Sequence, residues 1–109
     1  MNDKTALIRA MNDRLRRTLT GGHVVVTAGI RALGAEFLRL AVQLICSADD
    51  FSSANDPYGE RDFGHVLVRG EKILWKIDYY DPSLTLGAQD PSDETCCVRV
   101  LTIMLASEY

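Results

Sequence analysis

A chain of 109 residues is long enough for one domain and too short for two, so we expect a single domain over residues 1–109. Its 47% hydrophobic and 25% charged residues are typical of a folded globular protein and exclude a disordered chain. The net charge of −3 hides an asymmetry: residues 1–40 carry seven basic and three acidic residues, whereas residues 41–109 carry five basic and twelve acidic ones.

The same sequence argues for a cytoplasmic protein with no membrane contact. No apolar run approaches the roughly 18 residues that a membrane span needs, and the N-terminus has no apolar segment typical of a secretion signal. The three cysteines, Cys46, Cys96 and Cys97, are an odd number with one adjacent pair, which is a poor disulfide framework. We therefore expect reduced thiols and a reducing compartment.

The first predicted element is a basic amphipathic helix over residues 4–19. Asp3 is placed to cap its start, and Gly21 with Gly22 ends it. The apolar stripe that predicts this helix consists of Leu7, Ile8, Met11, Leu15 and Leu19.

A β-branched strand and a second helix follow. Residues 23–27 favour a strand that Gly29 ends. Residues 34–47 predict the second helix, and its apolar stripe consists of Phe37, Leu40, Ala41, Leu44 and Ile45.

An acidic segment, residues 48–62, separates these elements from the next strands. Its Asn-Asp-Pro and Tyr-Gly pairs are typical of turns, and Phe51 with Tyr58 gives it apolar surface to bury. We therefore predict an ordered loop, and we call residues 49–62 the acidic loop.

The next segments predict a β-hairpin. Residues 63–68 form one strand, a tight turn follows at Arg69-Gly70-Glu71, and residues 72–80 form the return strand. The return strand alternates, and we place its more apolar face in the core: Ile73, Trp75, Ile77 and Tyr79.

The C-terminal segment has two interpretations. Residues 81–93 predict a loop, and the β-branched residues within 96–106 favour a strand preceded by a helical turn. Asp90-Pro91 followed by Asp93 and Glu94 is instead typical of a helix start. As an exposed edge strand, the segment would favour pairing between two copies, so the expected states are monomer or homodimer.

Together these elements predict an α+β fold. We expect two helices packed on one face of a small, mainly antiparallel sheet of about four strands.

The chemistry-bearing residues do not form a coherent catalytic set. The sequence has no Gly-x-Ser-x-Gly motif, no glycine-rich phosphate loop and no Cys-x-x-Cys pair. His23 and His65 have no spacing typical of zinc ligands. We therefore expect no cofactor and no bound metal, and a protein-binding module rather than an enzyme.

The predicted contact for a protein partner is the acidic loop, because carboxylates complement a positively charged partner and tyrosines are frequent interface anchors. A secondary contact is predicted at Tyr80 and Asp81. The residues predicted within the loop are Asp49, Asp50, Asp56, Tyr58, Glu60 and Asp62.

Two alternatives remain open. In the first, the protein is a small metal-dependent hydrolase or nuclease that uses the loop carboxylates with Lys76, because clustered carboxylates bind Mg²⁺ or Ca²⁺ and serve as acid and base. The basic helix offers a surface for nucleic acid, although the acidic chain as a whole does not favour it. The arginines in question are Arg9, Arg14, Arg16 and Arg17.

Several motifs in combination resemble a family of short bacterial proteins classed as a domain of unknown function. The resemblance covers nearly the whole chain, with Arg61 where many members have histidine. It implies an origin on plasmids, prophages or other mobile elements, and by analogy an inhibitor of host defence, either anti-CRISPR-like or antirestriction. The motifs are TGG at 20–22, NDPYGE at 55–60, DFG at 62–64, WKIDYYD at 75–81 and VLTIMLA with a final EY over 100–109.

Overall fold

A computed structural model describes residues 2–109. The predicted α+β class is confirmed. Within the described residues the helices and strands are, in chain order, α1 (Asp3–Thr18), β1 (His23–Val26), α2 (Ala28–Ala32), α3 (Ala35–Ser47), β2 (Phe63–Val68), β3 (Glu71–Tyr80) and β4 (Val98–Leu105), followed by a 3₁₀ turn, η1 (Ala106–Glu108).

Helix α1 matches the predicted helix, but two local predictions about it are wrong. Its cap is Asn2 rather than Asp3, because the Asn2 side-chain oxygen accepts the Thr5 N–H at 2.7 Å. Its buried face also differs from the predicted apolar stripe, because Leu7 and Leu19 are exposed and two polar residues are buried in their place. The residues that α1 buries are Ile8, Asn12, Leu15 and Arg16.

The short helix α2 was not predicted. Gly29 does not end the preceding strand as expected; it is the second residue of α2, which begins at Ala28. A side chain at Gly29 would come within 2.7 Å of the Glu108 carboxylate, and the Gly29 N–H donates to that carboxylate at 3.1 Å. Glycine therefore allows the C-terminal turn to approach the end of β1.

The sheet is mixed, with the strand order β1-β4-β3-β2. Strands β2 and β3 form the predicted hairpin, β3 and β4 are antiparallel, and β1 runs parallel to β4. The C-terminal segment is therefore a strand, as we predicted, preceded by turns. It is not an edge strand, because β4 lies between β1 and β3, so pairing of two copies through β4 is excluded.

All three α-helices contribute to a core on one face of the sheet. Trp75, Ile73 and Ile77 from β3 are buried there, as the alternation predicted. They pack with Leu15 and Ile30 and with other side chains from α3 and β4: Phe37, Ala41, Ile45, Leu101 and Ile103.

The opposite face, which we call the outer face, carries the C-terminal turn. Tyr109 packs edge-on against Phe63 with ring centroids 5.6 Å apart, and η1 contacts β3. Leu74 and Met104 on this face are buried. Among residues 2–109, no helix has both the length and the apolar character needed to cross a bilayer.

Candidate functional site

The acidic loop is fastened to α1 by hydrogen bonds between residues far apart in sequence. Arg9 Nε donates to the Gly59 carbonyl at 2.7 Å, and Asn12 Nδ2 donates to the Glu60 carbonyl at 3.0 Å. The second half of the loop is therefore held at consecutive backbone positions.

An ion pair adds a third attachment. The Arg61 guanidinium lies 2.9 Å from the Asp13 carboxylate on α1 and stacks over the Phe51 ring at 4.9 Å. The Arg61 N–H donates to Asp56 Oδ1 at 3.0 Å, and Asp56 is 9% exposed. Arg61 adopts a positive φ of 54°, a conformation in which the carboxylate of Asp56 supports the turn.

A buried polar chain continues from the loop into the sheet. The Tyr79 hydroxyl donates to Glu60 Oε1 at 2.8 Å and accepts from Asn12 Nδ2 at 2.8 Å, while Asn12 Oδ1 accepts from Arg99 Nε at 2.8 Å. Burial raises the pKa of Tyr79, so its hydroxyl stays protonated as a donor. Every member has a partner, which indicates a positioning network.

These contacts divide the predicted loop residues into two groups. Asp56 and Glu60 accept hydrogen bonds from within the protein and position the loop. Asp49, Asp50 and Tyr58 are exposed, and Tyr58 is 83% exposed. The exposed group is the part of the prediction that a partner can reach.

Asp62 differs from both groups. It is half-buried, and burial raises the pKa of its carboxyl group, with the charges of Glu60, Asp56 and Asp78 acting in the same direction. The surroundings of Asp62 therefore disfavour the ionised form of its carboxyl group.

A groove of about 360 Å³ lies between the acidic loop and the outer face of the β2–β3 hairpin. Aromatic rings and a proline line it together with an ion pair of 2.9 Å between Lys76 Nζ and Asp78 Oδ2. The residues that line it are Asn55, Pro57, Tyr58, Asp62, Phe63, Lys76, Ile77, Asp78 and Tyr109.

The secondary contact predicted at Tyr80 and Asp81 does not line this groove. Tyr80 is half-buried at the end of β3 and pairs with Gly87. The Asp81 carboxylate accepts from the Ser83 hydroxyl at 2.8 Å and from the Thr85 N–H at 3.1 Å, which lowers its pKa. Asp81 thus organises the loop that follows β3.

The four predicted nucleic-acid contacts do not form one surface. Arg16 is fully buried and presents no surface to a phosphate, and Arg9 is half-buried against the acidic loop. Arg14 and Arg17 are exposed.

The metal-dependent alternative also lacks a ligand set in the described part of the chain. Among residues 2–109, no group of three or more histidine, cysteine or acidic side chains lies close enough to hold a metal ion. The thiols of Cys46, Cys96 and Cys97 are free.

Sequence reasoning missed several residues that build the site. Phe63 and Tyr109 line the groove, but only the fold brings the C-terminal turn to the start of β2. Asn12 carried a signal that we did not use. It lies between Ile8 and Leu15 at helical spacing, and a polar residue on an apolar stripe is typical of a buried hydrogen-bond network.

Residues 26–108 match the model of a protein family described as "Protein of unknown function (DUF3768)". The chain belongs to this family. The DUF3768 match contains the acidic loop and the β2–β3 hairpin, so most of the groove lies within it. Helix α1 precedes the match, although three of its side chains hold the loop. No curated protein and no solved structure matches the chain.

Proposed function

We propose that this DUF3768 protein is a non-enzymatic protein-binding module whose contact surface is the groove together with the exposed residues of the acidic loop, Asp49, Asp50 and Tyr58. The observation that carries the proposal is the setting of Tyr58. This side chain is 83% exposed, yet its two following residues are bonded to α1 through Arg9 and Asn12.

An exposed tyrosine on an attached backbone segment suits binding. A mobile loop loses backbone conformational entropy when it binds, whereas a loop that is already attached avoids this part of the cost and only the side chain is left to be ordered. Tyrosine also combines a large apolar area with a hydroxyl, which is why it is frequent among the residues that dominate interface energies. The aromatic rings of Phe63 and Tyr109 extend the same surface across the groove.

The charge of this surface indicates a basic partner. Asp49 and Asp50 are exposed on the loop, and residues 41–109 carry seven more acidic than basic residues. Negative surface potential speeds encounter with a positively charged partner and disfavours acidic ones. We therefore propose that the partner presents a basic patch to the loop.

The setting of Asp62 supports the same surface. A half-buried carboxyl group whose pKa is raised by burial opposes folding when it is ionised. Asp62 lines the groove, so its carboxylate, when ionised, adds to the negative charge that this surface presents.

A basic groove is a common feature of proteins that handle nucleic acids, and an acidic protein can occupy it in place of the nucleic acid. We propose on this ground that the partner belongs to a host defence system that cleaves or binds nucleic acid. In this role the protein would be an anti-CRISPR-like or antirestriction inhibitor carried by a mobile element.

The test is affinity capture of tagged protein from a lysate of its own host, with nuclease treatment, read by mass spectrometry. We expect one nuclease-resistant protein partner, bound about tenfold or more weakly by Tyr58→Ala. The matched control is Leu86→Ala, which truncates a side chain that is 69% exposed on a different loop.

Two results would contradict the proposal. One is a partner that is retained equally by the Tyr58→Ala and Leu86→Ala variants when both are folded. The other is the loss of every partner on nuclease treatment, which would indicate binding to nucleic acid and favour the two exposed arginines of α1, Arg14 and Arg17.

A further inference from the structure

The groove between the acidic loop and the hairpin brings aromatic rings and carboxylates to one accessible surface. Tyr58, Phe63 and Tyr109 line it and are all exposed, and the rings of Phe63 and Tyr109 pack edge-on. Because its volume is about 360 Å³ and these rings are open to solvent, a side chain from outside the protein can enter it.

Asp62 is a carboxylate in this groove that the fold leaves without a counter-charge. Within residues 2–109 its carboxylate forms neither an ion pair nor a hydrogen bond with another residue. The charges of Glu60, Asp56 and Asp78, which are all negative, act on it. A cation that enters the groove therefore meets an acceptor that has no partner in the protein.

The cation that lines the groove, Lys76, does not compensate Asp62. Its Nζ lies 2.9 Å from Asp78 Oδ2, and the hydrogen bond to Asp78 raises the pKa of Lys76. Lys76 and Asp78 therefore balance each other, and the three charged side chains of the groove leave a net charge of −1 at Asp62. This charge attracts a cationic group and repels an anionic one.

The interior of the protein shows how such surroundings accommodate a guanidinium. Arg61 lies 2.9 Å from the Asp13 carboxylate and stacks over the Phe51 ring at 4.9 Å. A guanidinium is planar and weakly hydrated, so it combines stacking on an aromatic ring with hydrogen bonds to a carboxylate. The groove offers the same two elements, and no arginine of the described residues lines it.

We propose that the groove receives an arginine side chain of the protein partner, whose guanidinium donates to the Asp62 carboxylate and stacks on the exposed tyrosine rings. This inference rests on the proposed function, because it assigns one specific contact to the partner's basic patch. The tyrosines in question are Tyr58 and Tyr109.

Two other side chains fit this groove less well. A lysine ammonium is compact and strongly hydrated, and it lacks the planar face that stacks on an aromatic ring. An apolar side chain would cover the Asp62 carboxylate without supplying a donor, which leaves a charged group desolvated and unpaired.

The test follows the carboxyl group of Asp62 by ¹³C NMR, with N-acetyl-arginine amide as the probe. We expect saturable binding with a Kd on the order of millimolar. At saturation the pKa of Asp62 should fall, because a bound cation favours the ionised carboxylate. The carboxyl resonance of Asp49, which is exposed and does not line the groove, is the control in the same spectra.

Two further probes separate the guanidinium from other groups at the same concentration and ionic strength. N-acetyl-citrulline amide has nearly the same shape without the charge and should leave the pKa of Asp62 unchanged. N-acetyl-lysine amide should bind about fivefold or more weakly than the arginine probe. The inference is overturned if the arginine probe leaves the pKa of Asp62 unchanged, or if either of the other two probes lowers it equally.

Substitution of Asp62 gives the matched comparison, read on the amide resonances of Phe63 and Tyr109. Asp62→Asn keeps the shape of the side chain and should weaken binding of the arginine probe about tenfold or more, because the charge-assisted hydrogen bonds are lost. Asp49→Asn should leave the Kd unchanged. Equal Kd values for the two variants would contradict the role of Asp62.

The two proposals fail separately. Saturable binding of the arginine probe without any captured protein partner would remove the protein-binding module and leave a guanidinium site. A captured partner whose binding depends on Tyr58, with a groove that ignores the arginine probe, would remove only the arginine contact.

Discussion

Arg16 is a fully buried cation that closes the end of α3. Its Nη1 donates to the carbonyls of Ile45 and Ala48, each at 2.9 Å, and its guanidinium stacks over the rings of Phe51 and Trp75 at 4.9 and 5.6 Å. The last carbonyls of a helix have no partner within the helix. Arg16 therefore supplies from α1 the donors that α3 lacks.

Truncation of Arg16 should be far more damaging than truncation of its neighbour. Arg16→Ala leaves buried carbonyls without donors and opens a cavity, so we expect a loss of about 3 kcal/mol or more in the free energy of unfolding. Arg17→Ala removes an exposed arginine and should change it by less than about 0.5 kcal/mol.

Urea denaturation of both variants measures this difference. Equal midpoints for Arg16→Ala and Arg17→Ala would show that the contacts of Arg16 are energetically unimportant.

The carboxyl group of Asp62 has the opposite effect on stability. Burial raises the pKa of Asp62 in the folded state above its ordinary value of 3.8. Between the unfolded and folded pKa values the folded protein binds more protons, so stability falls as the pH rises through this interval. Above the folded-state pKa, the Asp62 carboxyl group is ionised in both the folded and the unfolded protein, and the unfavourable burial of its charge lowers the free energy of unfolding in full.

Asp62→Asn should therefore be more stable than the wild type at pH 7, and the difference should vanish below pH 3.8, where both states are protonated. Thermal melts at both pH values measure it, with the exposed Asp49→Asn as the control. A less stable Asp62→Asn at pH 7 would contradict this account. Weaker partner capture by the stabilised variant would be the expected functional cost.

At the scale of elements, the β2–β3 hairpin uses a two-residue turn in which both residues have positive φ, 51° at Arg69 and 83° at Gly70. This is the geometry of a type I′ turn, whose twist matches that of the flanking strands. Glycine adopts it freely, but arginine at positive φ is strained by about 1–2 kcal/mol.

Arg69→Asn should stabilise the protein by about 0.5–1 kcal/mol, because asparagine followed by glycine is the preferred pair in this turn. Gly70→Ala should destabilise it by about 1 kcal/mol through backbone strain alone, since no other atom lies within 4 Å of the added Cβ.

Thermal denaturation of the two variants checks both signs. A stabilised Gly70→Ala variant, or a destabilised Arg69→Asn variant, would be inconsistent with a type I′ turn.

Elements with strong periodicity could be predicted from sequence, and the attachments between them could not. Helices α1 and α3, the hairpin and the core face of β3 follow from local patterns. The helix α2 was missed because five residues carry too little periodicity. The loop attachments were missed because Asn12 bonds to Glu60 and Tyr79, 48 and 67 positions away, and no local pattern encodes such pairs.

The candidate site was predicted in part for the same reason. Composition pointed to the acidic loop, where Asp49, Asp50 and Tyr58 are exposed. It could not separate these residues from Asp56 and Glu60, because the difference lies in which carboxylates find donors inside the fold. The same limit applies to Arg16, whose burial depends on where α3 ends.

At the scale of the whole molecule, the sheet brings the two ends of the chain together. Strand β1 pairs in parallel with β4, and Arg99 on β4 donates to Asn12 on α1, 87 positions earlier. The core is therefore completed by contacts of long sequence separation, which is typical of slower folding.

The interior position of β4 has a consequence for how the protein is made. The ribosome synthesises residues 98–105 after all the other strands. Until then, β1 and the facing edge of β3 lack the strand with which they pair. Unpaired strand edges and apolar surface in such a nascent chain are prone to aggregation. A chain whose synthesis stalls before residue 98 therefore becomes a substrate for chaperones or proteases. The sheet can form in full only after β4 has been translated.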